Sequence, residues 1–232
     1  MKQFAELEDY FEGSPIVICG NAPSLADVPV ELFKKYPTIG VNSVYTHAYF
    51  KDNPVSVYCI EGYGHLKAEA ERKARMPYIQ QVADAGGFSL VNKRVAQHFQ
   101  HLPEVYFIDY MSPRGHIHQS FEFDPFNVYG SGYCVTFAAL QFAYYLTSGA
   151  VLLVGMDHKF SGDSWHFFED EKAPEFKTME KKEYSLFRKR VDPKFEEAAE
   201  VYKVTDRELI NLTPDSEATM FEAGSVDEWI SK

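Results

Sequence analysis

The chain has 232 residues, is 45% hydrophobic and 25% charged, and carries a formal net charge of -11. That length and balance describe a folded chain with one sizeable core and exclude a disordered segment. The acidic excess repels phosphate backbones, which argues against nucleic acid as a partner and requires any anionic ligand to be held by local donors.

Phe4, Leu7, Tyr10 and Phe11 recur at helical spacing, so residues 3–12 predict a short amphipathic helix that Gly13, Ser14 and Pro15 end. The run PIVIC at 15–19 predicts a buried strand, followed by the turn Gly20-Asn21-Ala22-Pro23-Ser24 and a helix over 26–35. TIGV at 38–41 and VSVYCI at 55–60 predict the next two strands, ending at Asn42 and at Glu61-Gly62. A charged helix is expected over 66–84, then strands at 88–91 and 105–108 with a helix at 93–101 between them. Residues 111–129, with His116 and His118, read as a long loop or lid. Gly130-Ser131-Gly132 reads as the start of an apolar core helix running to about 147. VLLV at 151–154 predicts a strand leading into Gly155-Met156-Asp157. Residues 161–190 read as helix plus loop and a second lid region, and Pro193 as the first turn of an amphipathic helix to Tyr202. A short strand at 209–212 and a C-terminal helix begun by Ser225 or Asp227 complete the chain.

This alternation predicts a single α/β domain over 1–232, with a Rossmann-like, mostly parallel sheet and helices on both faces. No apolar run is long enough to span a membrane, and the first residues lack an apolar leader. Cys19, Cys59 and Cys134 show no C-x-x-C spacing and read as buried thiols of a reducing compartment. The expectation is a cytoplasmic protein; the composition does not bear on its oligomeric state.

A polar cluster follows each of five apolar runs: Asn21 and Ser24, Asn42, Glu61, Asp157, and Asp215 with Ser216. In a parallel sheet such ends share one edge, the edge where open α/β sheets bind ligands. Gly20 lets a ligand approach the backbone, and the amides after Pro23 suit a phosphate, with Ser24 as helix cap. Ser131 and Gly132 offer a second helix start of the same kind. Asp157 suits a ribose hydroxyl, a metal or the orientation of a histidine. His158 and His166 are candidate acid–base groups, since free imidazole titrates near pH 6.5. Trp165 suits stacking on a base or sugar, and Lys159 suits a phosphate. The spacing of His116 and His118 is a weak zinc signal, and no metal site is assigned. The chain has neither a Walker A loop nor a G-x-G-x-x-G fingerprint.

The segments VICGNAPSL (17–25), IGVNSVY (39–45), GSGYCVTFAAL (130–140), VLLVGMDHKF (151–160) and LINLTPDS (209–216) resemble, in order, the bacterial sialyltransferases of glycosyltransferase family 42. They also resemble the related motility-associated glycosyltransferases and 6-hydroxymethylpterin pyrophosphokinase-like proteins. The resemblance implies a GT-A variant of the Rossmann-like fold and a CMP-linked sugar donor. By it, Asn21 and Ser24 contact the donor's ribose-phosphate, and Asn42 the leaving phosphate or the sugar. Ser131 and Gly132 hold the nucleotide, and Lys159 and Trp165 stand where an aromatic pair faces the departing phosphate. The family's base histidine corresponds to a stretch at about 185–192 that contains no histidine here. A base then comes from His166 or His158.

The leading expectation is a glycosyltransferase that moves a sugar from a nucleotide donor to an acceptor and requires no cofactor. The alternatives are a pyrophosphokinase that uses ATP and magnesium held by Asp157 and Glu61, and a nucleotide-binding module without chemistry.

Overall fold

A computed structural model describes residues 4–61, 66, 68–111, 114–159 and 181–232. Among these, eight strands form one sheet: β1 Ile16–Cys19, β2 Thr38–Val41, β3 Val57–Ile60, β4 Phe88–Asn92, β5 Val105–Ile108, β6 Val151–Val154, β7 Leu209–Asn211 and β8 Glu222–Ala223. Their order is β5-β4-β3-β2-β1-β6-β7-β8, and every neighbouring pair is parallel. The helices are α1 Val30–Lys35, α2 Glu69–Asp84, α3 Val135–Leu146, α4 Lys181–Val204 and α5 Val226–Ser231.

A parallel sheet needs cover on both faces, so its central pair, β1 and β6, is apolar at every position. Alternate residues then go to opposite layers. Ile16 and Ile18 pack with Phe137 and Leu140 of α3 and Phe195 of α4. Val17 and Cys19 face the other way, with Leu32 of α1, Ile79 of α2 and Trp229 of α5. The result is an α/β, Rossmann-like fold with an all-parallel sheet. Among the described residues no helix is long and apolar enough to cross a membrane.

Several boundaries differ from the sequence reading, each for a local reason. The 26–35 segment is a 3-10 turn, Pro23–Asp27, followed by α1, with Pro29 as the residue before the helix. The helix expected from Gly130 starts only at Val135, because Gly132 and Tyr133 have φ of 54° and 61°, which no right-handed helix contains. The segments at 4–7 and 93–98 close as 3-10 turns. Conversely, α4 runs through Pro193 and does not begin there. An interior proline costs about 3 kcal/mol. Burial of Val191, Phe195, Ala198 and Tyr202 against the core offsets it. The two-residue β8 carries no apolar run and was not expected.

Residues 114–129 are irregular, with one isolated antiparallel bridge between Met111 and Ile117. His118 pairs with Glu122 at 2.5 Å rather than with His116. The segment is fastened to α3 by Gln141, whose side chain is wholly buried. Its oxygen accepts from the amides of Gly130 (2.7 Å) and Glu122 (3.0 Å), and its nitrogen donates to the carbonyls of Gly130 (2.8 Å) and Phe137 (2.9 Å). The second lid region expected at 161–190 lies outside the described residues up to 180.

Candidate functional site

Parallel pairing gathers the carboxyl ends of the strands along one edge. Gly20, Asn21 and Ser24 follow β1, Asn42 follows β2, Glu61 follows β3, and Asp157 follows β6. The strand order reverses between β1 and β6, with β2 to β5 laid out on one side and β6 to β8 on the other. Such a reversal opens a crevice where open α/β sheets take ligands.

Backbone forms the floor of that crevice. The Gly20 amide donates to the Val154 carbonyl (2.8 Å), and the Ala22 amide to the Gly155 carbonyl (3.1 Å). A Cβ on Gly20 would overlap the Gly155 carbonyl oxygen, and Gly155 itself has a φ of 64°. Glycine is needed at both places, one for approach and one for conformation.

Asp157 reaches across the floor to Ser24. One carboxylate oxygen accepts the Ser24 amide at 3.3 Å, and the other accepts its hydroxyl. This corrects two expectations. Ser24 does not cap the following turn with its own side chain, since the residue before that turn is Ala22 and no side-chain cap bond forms. The Ser24 amide expected to hold a phosphate already holds a carboxylate, which satisfies a helix-start donor equally well. The Asp157 turn is clipped from its far side too. The Met156 amide donates to Thr213 Oγ1 (3.0 Å), the Glu217 amide to the Asp157 carbonyl (2.8 Å), and the Ser216 hydroxyl to the Met156 carbonyl.

Asn21 bridges to the neighbouring strand, its amide nitrogen donating to the Val41 carbonyl at 3.1 Å. Its side-chain oxygen is buried and has no hydrogen-bond partner. Asn42 lies beside this bridge in the left-handed region, φ 45°, which asparagine tolerates better than most residues. Its amide donates to the Cys59 carbonyl (3.0 Å), and its carbonyl accepts the Tyr58 hydroxyl.

Glu61 meets Ser131, whose hydroxyl donates to Glu61 Oε1 at 3.3 Å. The Glu61 carbonyl accepts the Asn92 amide group at 3.0 Å. Ser131 is therefore committed to a carboxylate rather than open to a phosphate, and Gly132 turns the chain against the Phe137 ring. Burial pushes the Glu61 carboxyl up to about 7, and the nearby hydroxyls of Ser131 and Tyr129 partly oppose that rise. A carboxyl raised in this way stabilises the fold below its unfolded value of 4.5, and that contribution is lost as pH rises through about 7. Glu61→Gln stays neutral throughout. Relative to wild type it should gain on the order of 1–2 kcal/mol between pH 5 and pH 8, read by urea denaturation at both pH values. An unchanged difference at the two pH values would show that the carboxyl is already ionised at pH 5.

His158 has a φ of 53° and is 6% exposed. Its Nε2 lies 2.7 Å from Asp192 Oδ1, and Asp192 also accepts Arg188 Nε at 3.2 Å. Burial holds the imidazole below its usual value, against the pull of Asp192. A buried, clamped imidazole is placed to fix the turn that carries Asp157. Lys159 beside it is exposed. His166 and Trp165 lie outside the described residues.

Asp192, Asn92, Gln141 and Tyr129 were not singled out from the sequence. Asp192 falls in the very stretch where a histidine was looked for, and only its place in one long helix brings it to His158. Asp157 and Glu61, the carboxylates that a magnesium site would use, belong to separate hydrogen-bonded pairs. Among the described residues no three His, Cys, Asp or Glu side chains are grouped for a metal ion.

Two cavities lie off the crevice. One of about 510 Å³ sits between α4 and β7–β8, lined by Glu196, Tyr202, Leu209 and Phe221 among others. The other, about 390 Å³, lies between Ala26–Val30 and Thr46–Tyr49, next to the loops that leave β1 and β2. Comparison with models of known families, with curated proteins and with solved structures finds no match to this chain.

Proposed function

We propose that this chain is a transferase that binds a nucleotide-activated sugar, CMP-linked by the sequence resemblance, and passes the sugar to an acceptor hydroxyl. The observation that supports this reading best is the strand-order reversal between β1 and β6, where Gly20 and Gly155 meet and Asn21, Asn42 and Asp157 follow the ends of their strands. The unpartnered oxygen of Asn21 is a group that a ligand would satisfy. Lys159 is the cation nearest Asp157 in the chain and is assigned to the leaving phosphate, and the sequence resemblance assigns Trp165 to the same group.

In the proposed reaction the acceptor hydroxyl gives its proton to a base, and its oxygen attacks the sugar's anomeric carbon. The bond from that carbon to the phosphate oxygen breaks, and the nucleotide leaves with the electron pair. His166 is assigned as that base, because His158 is buried and held by Asp192. The same clamp favours one second reading, a module that binds the nucleotide without turning it over.

A thermal-shift screen of CMP, CMP-sialic acid, UDP, GDP and ATP, each with and without magnesium, tests the proposal. Saturating ligand stabilises by about 2.7 kcal/mol at a hundred times Kd, so a true donor gives a shift of several degrees. The expected result is a shift with CMP and CMP-sialic acid that does not need magnesium. A shift with ATP and magnesium alone would transfer the assignment to the pyrophosphokinase. CMP-sialic acid binding with neither hydrolysis nor transfer in the wild type would assign the module.

A further inference from the structure

We infer that Glu61, backed by Ser131 and Tyr129, is a subsite that grips neighbouring hydroxyl groups of the ligand. The inference rests on the nucleotide-sugar reading for the ligand's class, and it adds which part of the ligand faces which strand.

The first argument is position. Glu61 is the residue directly after β3, on the ligand edge and two strands from the β1–β6 crevice. Its main chain is held by Asn92, which is 1% exposed. Glu61 is half-buried, neither sealed into the core nor open to solvent.

The second argument is preorganisation. Ser131 takes one oxygen of Glu61, and Ser131 is itself fixed by its amide on the His118 carbonyl (2.9 Å). Tyr129 is fully buried and close enough to favour the Glu61 carboxylate. Its hydroxyl is shut off from solvent, with the Glu61 carboxyl as the acceptor it acts on. Its ring is held edge-on by Tyr110 (5.9 Å) and tilted against Phe142 (5.7 Å), and its amide by the Asp109 carbonyl (3.1 Å). A buried phenol left without an acceptor is costly, so Tyr129 holds the Glu61 carboxyl in place.

The third argument is chemistry. A carboxylate only accepts, so a phosphate, which also only accepts and is negative, cannot bind there. A hydroxyl donates and carries no charge, so it is the ligand group that this carboxylate takes. The titratable groups that face Glu61 are Cys59 on β3, Cys134 ahead of α3, and Tyr129 with Tyr110 and Asp109 behind it. None of these supplies a positive charge. Hydroxyls that donate to Glu61 favour its ionised form, so affinity should rise as pH increases through about 7.

The hydroxyls belong either to the ribose or to the transferred sugar, and calorimetric titration separates the two. If the ribose is gripped, wild type binds CMP at least tenfold more tightly than 2′-deoxy-CMP, and Glu61→Gln removes that preference. If the sugar is gripped, CMP and 2′-deoxy-CMP bind alike. The tenfold gain is then of CMP-sialic acid over CMP, and it again disappears in Glu61→Gln. Ser131→Ala and Tyr129→Phe should each weaken the same preference, and circular dichroism confirms that the variants are folded. Preferences that survive in Glu61→Gln would overturn the subsite and leave the nucleotide-sugar reading standing. If no cytidine ligand binds, that reading falls. Ribose and free sialic acid at high millimolar concentration then decide the subsite, and the absence of any Glu61-dependent thermal shift with either one would overturn it too.

Discussion

Gln141→Leu should cost about 3–6 kcal/mol and release the segment that carries Tyr129 and Ser131. Leucine fills a similar volume, so little of the loss comes from a cavity. The loss comes from the main chain that Gln141 serves. The Gly130 amide and carbonyl would lose their partners in a buried site, and the Glu122 amide in a part-buried one. Each buried group left unpaired costs about 1–3 kcal/mol. The Phe137 carbonyl is less affected because it sits within α3. Urea denaturation gives the size of the loss, and amide hydrogen exchange shows where it falls. Protection should drop around Glu122 and Gly130 before it drops in β1 or β6. A loss below about 1 kcal/mol would mean that the segment has another anchor. Because Ser131 and Tyr129 ride on this segment, the variant should also lose the Glu61-dependent ligand preference.

Gly20→Ala should be comparably severe for a different reason. The added methyl would overlap the Gly155 carbonyl oxygen, with the Gly155 carbonyl carbon at 3.0 Å and the Val154 oxygen at 3.3 Å. All three are main-chain atoms of β6 or its turn, so no side chain can rotate away. Relief requires β1 and β6, neighbours at the centre of the sheet, to part. Overpacking of this kind costs about 3 kcal/mol or more where the backbone cannot yield. Gly86→Ala is the control. It has a φ of 84° but nothing within 4 Å of the new methyl, so only conformational strain of about 1–2 kcal/mol remains. Equal losses in the two variants would show that the crevice floor is not held as tightly as described.

Much of the sheet was legible because parallel strands buried on both faces leave unbroken apolar runs. Thr38–Val41, Val105–Ile108 and Val151–Val154 were read with their observed bounds. The edge that gathers Asn21, Asn42, Glu61 and Asp157 follows from the same reading once the sheet is parallel. What stayed hidden were partners. Ser24 and Asp157 are 133 residues apart, and nothing local marks their bond. The left-handed Tyr133 carries no signature of its own, so the glycines before it read as a helix start. Pro193 read as a first turn because the burial of its neighbours Val191 and Phe195, which carries the helix through it, is against partners remote in the chain. Asp192 then passed as a residue ahead of a helix, and its hold on His158 was missed.

The strand order also bears on how the chain is assembled. One flank of β1 is completed by β2, only a short loop and helix later, whereas its other flank waits for Val151–Val154. At about 5–20 residues per second, that second partner leaves the ribosome roughly 6–23 s after the first. Through that interval Ile16–Cys19 presents a bare, wholly apolar border, and factors that shield nascent chains have their opportunity there. Sequence changes that slow the arrival of β6 should therefore lower soluble yield without altering the finished protein.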